Sequence, residues 1–75
     1  MNRKETMSLG ENIRRIRNQK GLSQENVSDV MGPKREYLSK IENGHLANPT
    51  YFTLLNIAKG LEVEITELVD LSIHG

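Results

Sequence analysis

The chain is 75 residues long, with ten basic and ten acidic residues and no cysteine. That length sets one small domain whose core is marginal by itself, and the lack of cysteine excludes disulfide frameworks, thiolate metal sites and a cysteine nucleophile. The zero net charge is unevenly spread: the stretch through Lys40 carries +4 and the stretch from Ile41 onward carries −4, a polarity that would give phosphate a basic face, although an ordinary mixed surface reads the same way.

The first ten residues, MNRKETMSLG, hold charges with no apolar run behind them, so neither a signal peptide nor a membrane span is expected, and a cytoplasmic protein is the default reading. Residues 1–7 are expected to form a flexible arm. Leu9, Ile13 and Ile16 recur at helical spacing, predicting a first helix from about Ser8 to Lys20 with Arg14, Arg15 and Asn18 turned away from the stripe. Gly21 stops it, and Ser23 offers an N-cap oxygen to a second helix, Gln24 to Met31, with Val27, Val30 and Met31 as its buried stripe. Gly32-Pro33 closes that helix.

A third helix is predicted from about Lys34 to Asn43, with Leu38 and Ile41 facing inward and Gly44 ending it. The segment HLANP reads as a loop. Thr50 caps a fourth helix, Tyr51 to Lys59, whose apolar side is Tyr51, Leu54, Leu55, Ile57 and Ala58; Gly60 is read as its breaker. A short fifth helix runs from about Ile65 to Leu71 and carries Leu68, with residues 72–75 as a tail. No strand pattern competes: Val63-Glu64-Ile65 is too short. The fold class is therefore all-α, a compact bundle of five short helices over residues 8–71.

The second helix, a turn of about three residues, and the third helix have the order in which a second helix projects into the major groove of DNA. The outward face of the third helix holds Glu36, Ser39, Lys40 and Asn43, flanked by Arg35 and Tyr37, and each can hydrogen-bond. Taken alone, such a face reads more readily as an ordinary solvated one.

The run GLSQENVSDVMGPKREYLSKIENG, followed by NPTYFTLLNIAKGLEVEITEL, resembles the Xre/Cro-type helix-turn-helix family, the lambda-repressor-like fold, over about Leu9 to Val69. The resemblance implies sequence-specific binding of double-stranded DNA by a small bacterial or phage-type transcriptional regulator: a repressor, a restriction–modification controller or an antitoxin. It implies base contacts from Lys34, Arg35, Glu36, Ser39 and Lys40. Phosphate contacts are implied for Ser23 and Gln24 at the start of the second helix, and for Tyr37, Asn43 and Gly44. It also pairs Arg17 with Glu42 as a structural ion pair between the first and third helices. A homodimer joined through the fifth helix would read a near-palindrome. Phe52, expected to be at least partly exposed, is a candidate for that contact with Val69, Leu71 and Ile73.

The chain departs from the family pattern in four places. Pro33-Lys34 replaces the usual apolar and hydroxyl residues before the third helix, which places its start in question. The loop after Gly44 lacks basic residues, Glu64 stands where a capping serine is common, and Phe52 replaces a polar residue. His45 and His74 have no ligand spacing, and no nucleophile elbow or phosphate-cradling glycine loop is present. No catalytic residue, metal, cofactor, small-molecule ligand or membrane is expected. The alternative reading is a protein-interaction module that keeps the fold without specific DNA binding.

Overall fold

The computed structural model describes residues 7–46 and 48–71. Helix α1 spans Leu9–Gln19, α2 Gln24–Met31, α3 Arg35–Glu42, α4 Tyr51–Leu61 and α5 Ile65–Leu68, and a 3₁₀ turn, Gly32–Lys34, joins α2 to α3. No strand occurs among the described residues. The expected tail, 72–75, and the expected arm, apart from Met7, lie outside them. The Met7 N–H donates to the Leu71 carbonyl at 2.9 Å, so this last residue of the arm is tied to the end of the bundle.

Local chemistry starts α1, α2 and α4. Ser8 and Glu11 form a capping box on α1, with bonds of 2.9 and 3.1 Å, and Ser23 and Asn26 do the same on α2, with two bonds of 3.0 Å. The Thr50 hydroxyl accepts from the Thr53 amide at the start of α4. Caps of this kind stabilise a helix by about 1 kcal/mol each. Helix α3 has no side-chain cap at Lys34, as the Pro33-Lys34 departure implies, and the 3₁₀ turn takes the place of one. Gly32 at the corner has φ +64° and ψ −122°, a conformation that side chains oppose and that reverses the chain between α2 and α3.

The core is Ile13, Ile16, Val27, Met31, Leu38, Ile41, Ile57, Ala58, Leu61 and Leu68. Helix α2 packs on α3 and α4, and α1 on α3 and α5. Of the expected core residues, Leu9 and Leu54 are partly buried against it and three are exposed. Val30 is half exposed because the two turns of α2 bury the Val27–Met31 edge, and Val30 sits beside that edge. Tyr51, 62% exposed, and Leu55 fall on the far flank of α4, whose buried face is Thr53, Ile57, Ala58, Gly60 and Leu61.

Gly60 does not break α4. It lies inside the helix, and a Cβ there would meet Val27 Cγ1 at 2.8 Å and the Val27 carbonyl oxygen at 3.0 Å, so its missing side chain lets α4 approach α2. The helix ends at Glu62, whose φ of +60° is left-handed, with the Val63 N–H donating to the Ala58 carbonyl at 3.0 Å. Helix α5 is shorter than expected. Asn12, buried on α1, donates its side-chain amide to the carbonyls of Glu67 at 3.1 Å and Leu68 at 2.7 Å, taking acceptors that a longer helix would use.

Candidate nucleic-acid interface

One carboxylate fixes the placement of α3. Glu42 has a fully buried side chain. Its Oε2 accepts from Arg17 Nε at 2.9 Å, and its Oε1 accepts from Arg17 Nη2 at 3.1 Å, the side-on fork geometry of a guanidinium on a carboxylate. Arg17 is itself only 13% exposed in its side chain and donates again to the Leu22 carbonyl. Two further donors converge on Oε1: Gln24 Nε2 from α2 at 3.1 Å and Arg14 Nε from α1 at 3.4 Å. Burial pushes the Glu42 carboxyl up, but hydrogen bonds from Arg17 and Gln24, the charge of Arg17 and the bond from Arg14 outweigh it. The group is held below the usual carboxylate range.

Glu42 thus joins α1, α2 and α3 in one network, more than the single expected pair. Arg14, expected to point into solvent, also donates Nη2 to the Glu42 carbonyl. The reason is the row Gly10, Arg14, Arg17 along α1, spaced four and three residues apart, which faces the end of α3. At Gly10 a Cβ would overlap the Ile41 carbonyl oxygen, so the glycine sets how closely the two helices approach. Spacing could have exposed this row, as it could have exposed Asn12, which lies three residues after Leu9 and four before Ile16. What spacing could not supply was the partner.

The remaining site residues divide into two edges of α3. On one, Glu36, Ser39 and Asn43 are exposed, and Asn43 Nδ2 donates to Ser39 Oγ at 3.3 Å. Arg35 leans back to α2, donating Nη2 to Asp29 Oδ1 at 3.1 Å in an exposed pair, while its carbonyl accepts from Ser28 Oγ. On the other edge Lys34, Tyr37 and Lys40 line a cleft of about 290 Å³, closed by His45, Leu46, Asn48, Pro49, Thr50 and Thr53.

At the start of α2, Ser23 is committed to its capping box and the side-chain amide of Gln24 to Glu42. What these two positions can still give an anion is the main-chain N–H of Gln24 and of its neighbour Glu25, the unpaired donors of a helix start. Gly44 is exposed in a left-handed turn with φ +79°, its N–H donating to the Ile41 carbonyl at 3.1 Å.

The geometry is a helix pair braced from behind by a buried carboxylate, with a hydrogen-bonding helix face open to solvent. A helix-turn-helix family model matches residues 13–68, which span this whole arrangement. The chain belongs to the Xre/Cro-type helix-turn-helix family. Among relatives of this Xre/Cro-type chain, an HTH-type transcriptional regulator of Sinorhizobium fredii, y4dJ, is 44% identical over 61 residues, 81% of this chain and 78% of its own. The restriction-modification controller protein C.AhdI from Aeromonas hydrophila superposes with a TM-score of 0.71 at 35% identity, over 80% of this chain and 89% of that one. SinR of Bacillus subtilis, a master regulator for biofilm formation solved in complex with DNA, superposes with a TM-score of 0.73 at 31% identity, over 83% of this chain and 98% of that one.

The expected dimer contacts lie at the start of α4 and beyond α5. Phe52 is 70% exposed, its ring edge-on to Tyr51 with centroids 6.4 Å apart. Val69 is exposed and Leu71 half-buried, both beyond the end of α5. Ile73 lies outside the described residues.

Proposed function

We propose that the protein is a transcriptional regulator that binds a near-palindromic operator in double-stranded DNA as a homodimer, with α3 in the major groove. The observation that carries this reading is the exposed polar face of α3, held in place by the Glu42 network and left uncovered by the other described residues. The likeness to a DNA-bound regulator and to a restriction–modification controller supports it. Lys34, Arg35, Glu36, Ser39 and Lys40 contact base edges. The main chain at Ser23 and Gln24, and Tyr37, Asn43 and Gly44, meet phosphates and set register. No helix among the described residues is long and apolar enough to cross a membrane, and a regulator of this kind works in the cytoplasm.

Selection of binding sites from random duplexes, followed by anisotropy titration, tests the reading. Wild-type protein selects a two-fold related site, and its affinity falls at least roughly tenfold between about 50 and about 200 mM salt as phosphate contacts release counterions. Arg35→Ala or Lys40→Ala removes sequence preference with the fold intact. Retained site selection in both variants refutes the α3 assignment. Absence of any selected site favours the interaction-module reading instead, which the zero net charge and the uncharged loop after His45 would then explain.

A further inference from the structure

We infer that the ring of Tyr37 is a positioning residue for base recognition, holding both Lys34 and Lys40 on its π-surface so that the two ammonium groups reach the duplex already aimed. The inference rests on the DNA-binding reading and says how its cationic edge achieves sequence choice.

Tyr37 lies three residues from each lysine on one side of α3, the spacing at which helix side chains are neighbours. Lys34 Nζ lies 5.4 Å and Lys40 Nζ 5.8 Å from the ring centroid, both within the range at which an ammonium is attracted to a tyrosine face. Neither lysine belongs to an ion pair with an acidic side chain among the described residues, whereas Arg14 and Arg17 are bound to Glu42 and Arg35 shares an exposed pair with Asp29. The ring itself is half-buried and walls the cleft under the α3–α4 loop, so it cannot swing freely.

A lysine is otherwise a poor reader of sequence: a point charge on a flexible four-carbon stem that binds phosphate as readily as a base. Anchoring the stem to a fixed ring lowers the entropy lost on docking and narrows the directions the ammonium can take. Two lysines so held favour the guanine O6 and N7 acceptors over the diffuse charge of the backbone. The ring supplies geometry and no charge, so its loss should reduce discrimination and leave the electrostatic part of binding in place.

Proton NMR of the free protein tests the contact without DNA. The ε-methylene protons of Lys34 and Lys40 shift upfield in the ring current in wild type and in Tyr37→Phe, and return to random-coil positions in Tyr37→Leu. With DNA, Tyr37→Leu lowers the ratio of affinities for the selected and a scrambled duplex by roughly tenfold, the product of two modest cation–π contacts. Its salt slope stays unchanged. Tyr37→Phe, which keeps the ring but loses the hydroxyl that meets phosphate, weakens binding to both duplexes alike and keeps the ratio of their affinities within about twofold of wild type.

Three results overturn the inference: unshifted lysine protons in wild type, full discrimination in Tyr37→Leu, or an equal loss of discrimination in Tyr37→Phe, which would make the hydroxyl a base contact. Shifted lysine protons in a wild-type protein that selects no duplex would instead sink the DNA-binding reading, and the positioning role with it.

Discussion

Glu42 has a side chain with no access to water, near the end of the helix that the proposed function sets against a polyanion. A bare carboxylate in that place would repel DNA and cost several kcal/mol to bury. Four donor groups from three residues make it tolerable, and they also give α1, α2 and α3 a common anchor. Removing its charge with Glu42→Gln should lower stability by about 3 kcal/mol, because Arg17 is left largely buried without its counter-ion. Arg17→Met should do nearly the same. Arg14→Ala, whose side chain is 49% exposed, should change stability by no more than about 1 kcal/mol. Urea unfolding at neutral pH measures all three.

The pH dependence follows from the same residue. The folded carboxyl titrates below its unfolded value of about 4.3. Its contribution is therefore complete above that value and is lost as pH falls through the lower folded one. The stability gap between wild type and Glu42→Gln should accordingly be widest near neutrality and narrow toward pH 3. A gap that stays constant across that range would show that shape, not charge, makes Glu42 matter.

At the scale of elements, the helix starts were written locally and the closest helix contacts were not. Ser23 and Thr50 announce α2 and α4 because a cap oxygen and the amide it accepts from lie within one turn of chain. Gly60 misled for the opposite reason. A glycine near a helix end has the composition of a stop signal, but here it answers Val27, 33 residues earlier in the chain. The true stop, Glu62, lacks the composition altogether. In the same way Asn12 lay legibly within the apolar stripe of α1, while its partners, the carbonyls of Glu67 and Leu68, lay more than fifty residues on. The outward positions of α3, by contrast, followed from its period: Glu36, Ser39, Lys40 and Asn43 are all exposed.

The two ends of this mistake make a paired prediction. Glu62→Gly relieves a left-handed residue and should stabilise the fold by about 0.5–1 kcal/mol. Gly60→Ala forces a methyl group against Val27 and should destabilise it by about 1–3 kcal/mol. Thermal melts of the two variants should move in opposite directions. Gly60→Ala melting at or above wild type would mean that α4 and α2 can separate without penalty.

For the molecule as a whole, the opposed charges of the two halves become a division of labour. Lys34, Arg35 and Lys40 lie on or beside α3, while Glu62, Glu64 and Glu67 lie exposed toward α5. In the proposed complex a duplex drawn to the first surface is repelled by the second, which favours one orientation of approach. That leaves the α4–α5 end for the partner subunit in the proposed dimer. Phe52, at the opposite end of α4, is the most informative candidate for that contact, because it is the second residue of the helix. An aspartate at that point favours the helix through its dipole, so Phe52→Asp should leave the monomer folded while removing the ring.

In a two-fold interface each substitution occurs twice. A loss of about 1.5 kcal/mol per ring then becomes about 3 kcal/mol per dimer, or roughly a hundredfold in its dissociation constant. Sedimentation velocity across a concentration series would read that shift directly. Binding to a full operator should weaken with it, because two recognition helices one DNA turn apart act together only while the subunits stay joined. Binding to a half-site should not change. A Phe52→Asp protein that self-associates as wild type does would move the interface elsewhere, and equal weakening on full and half sites would mean that the substitution had reached α3 rather than the dimer.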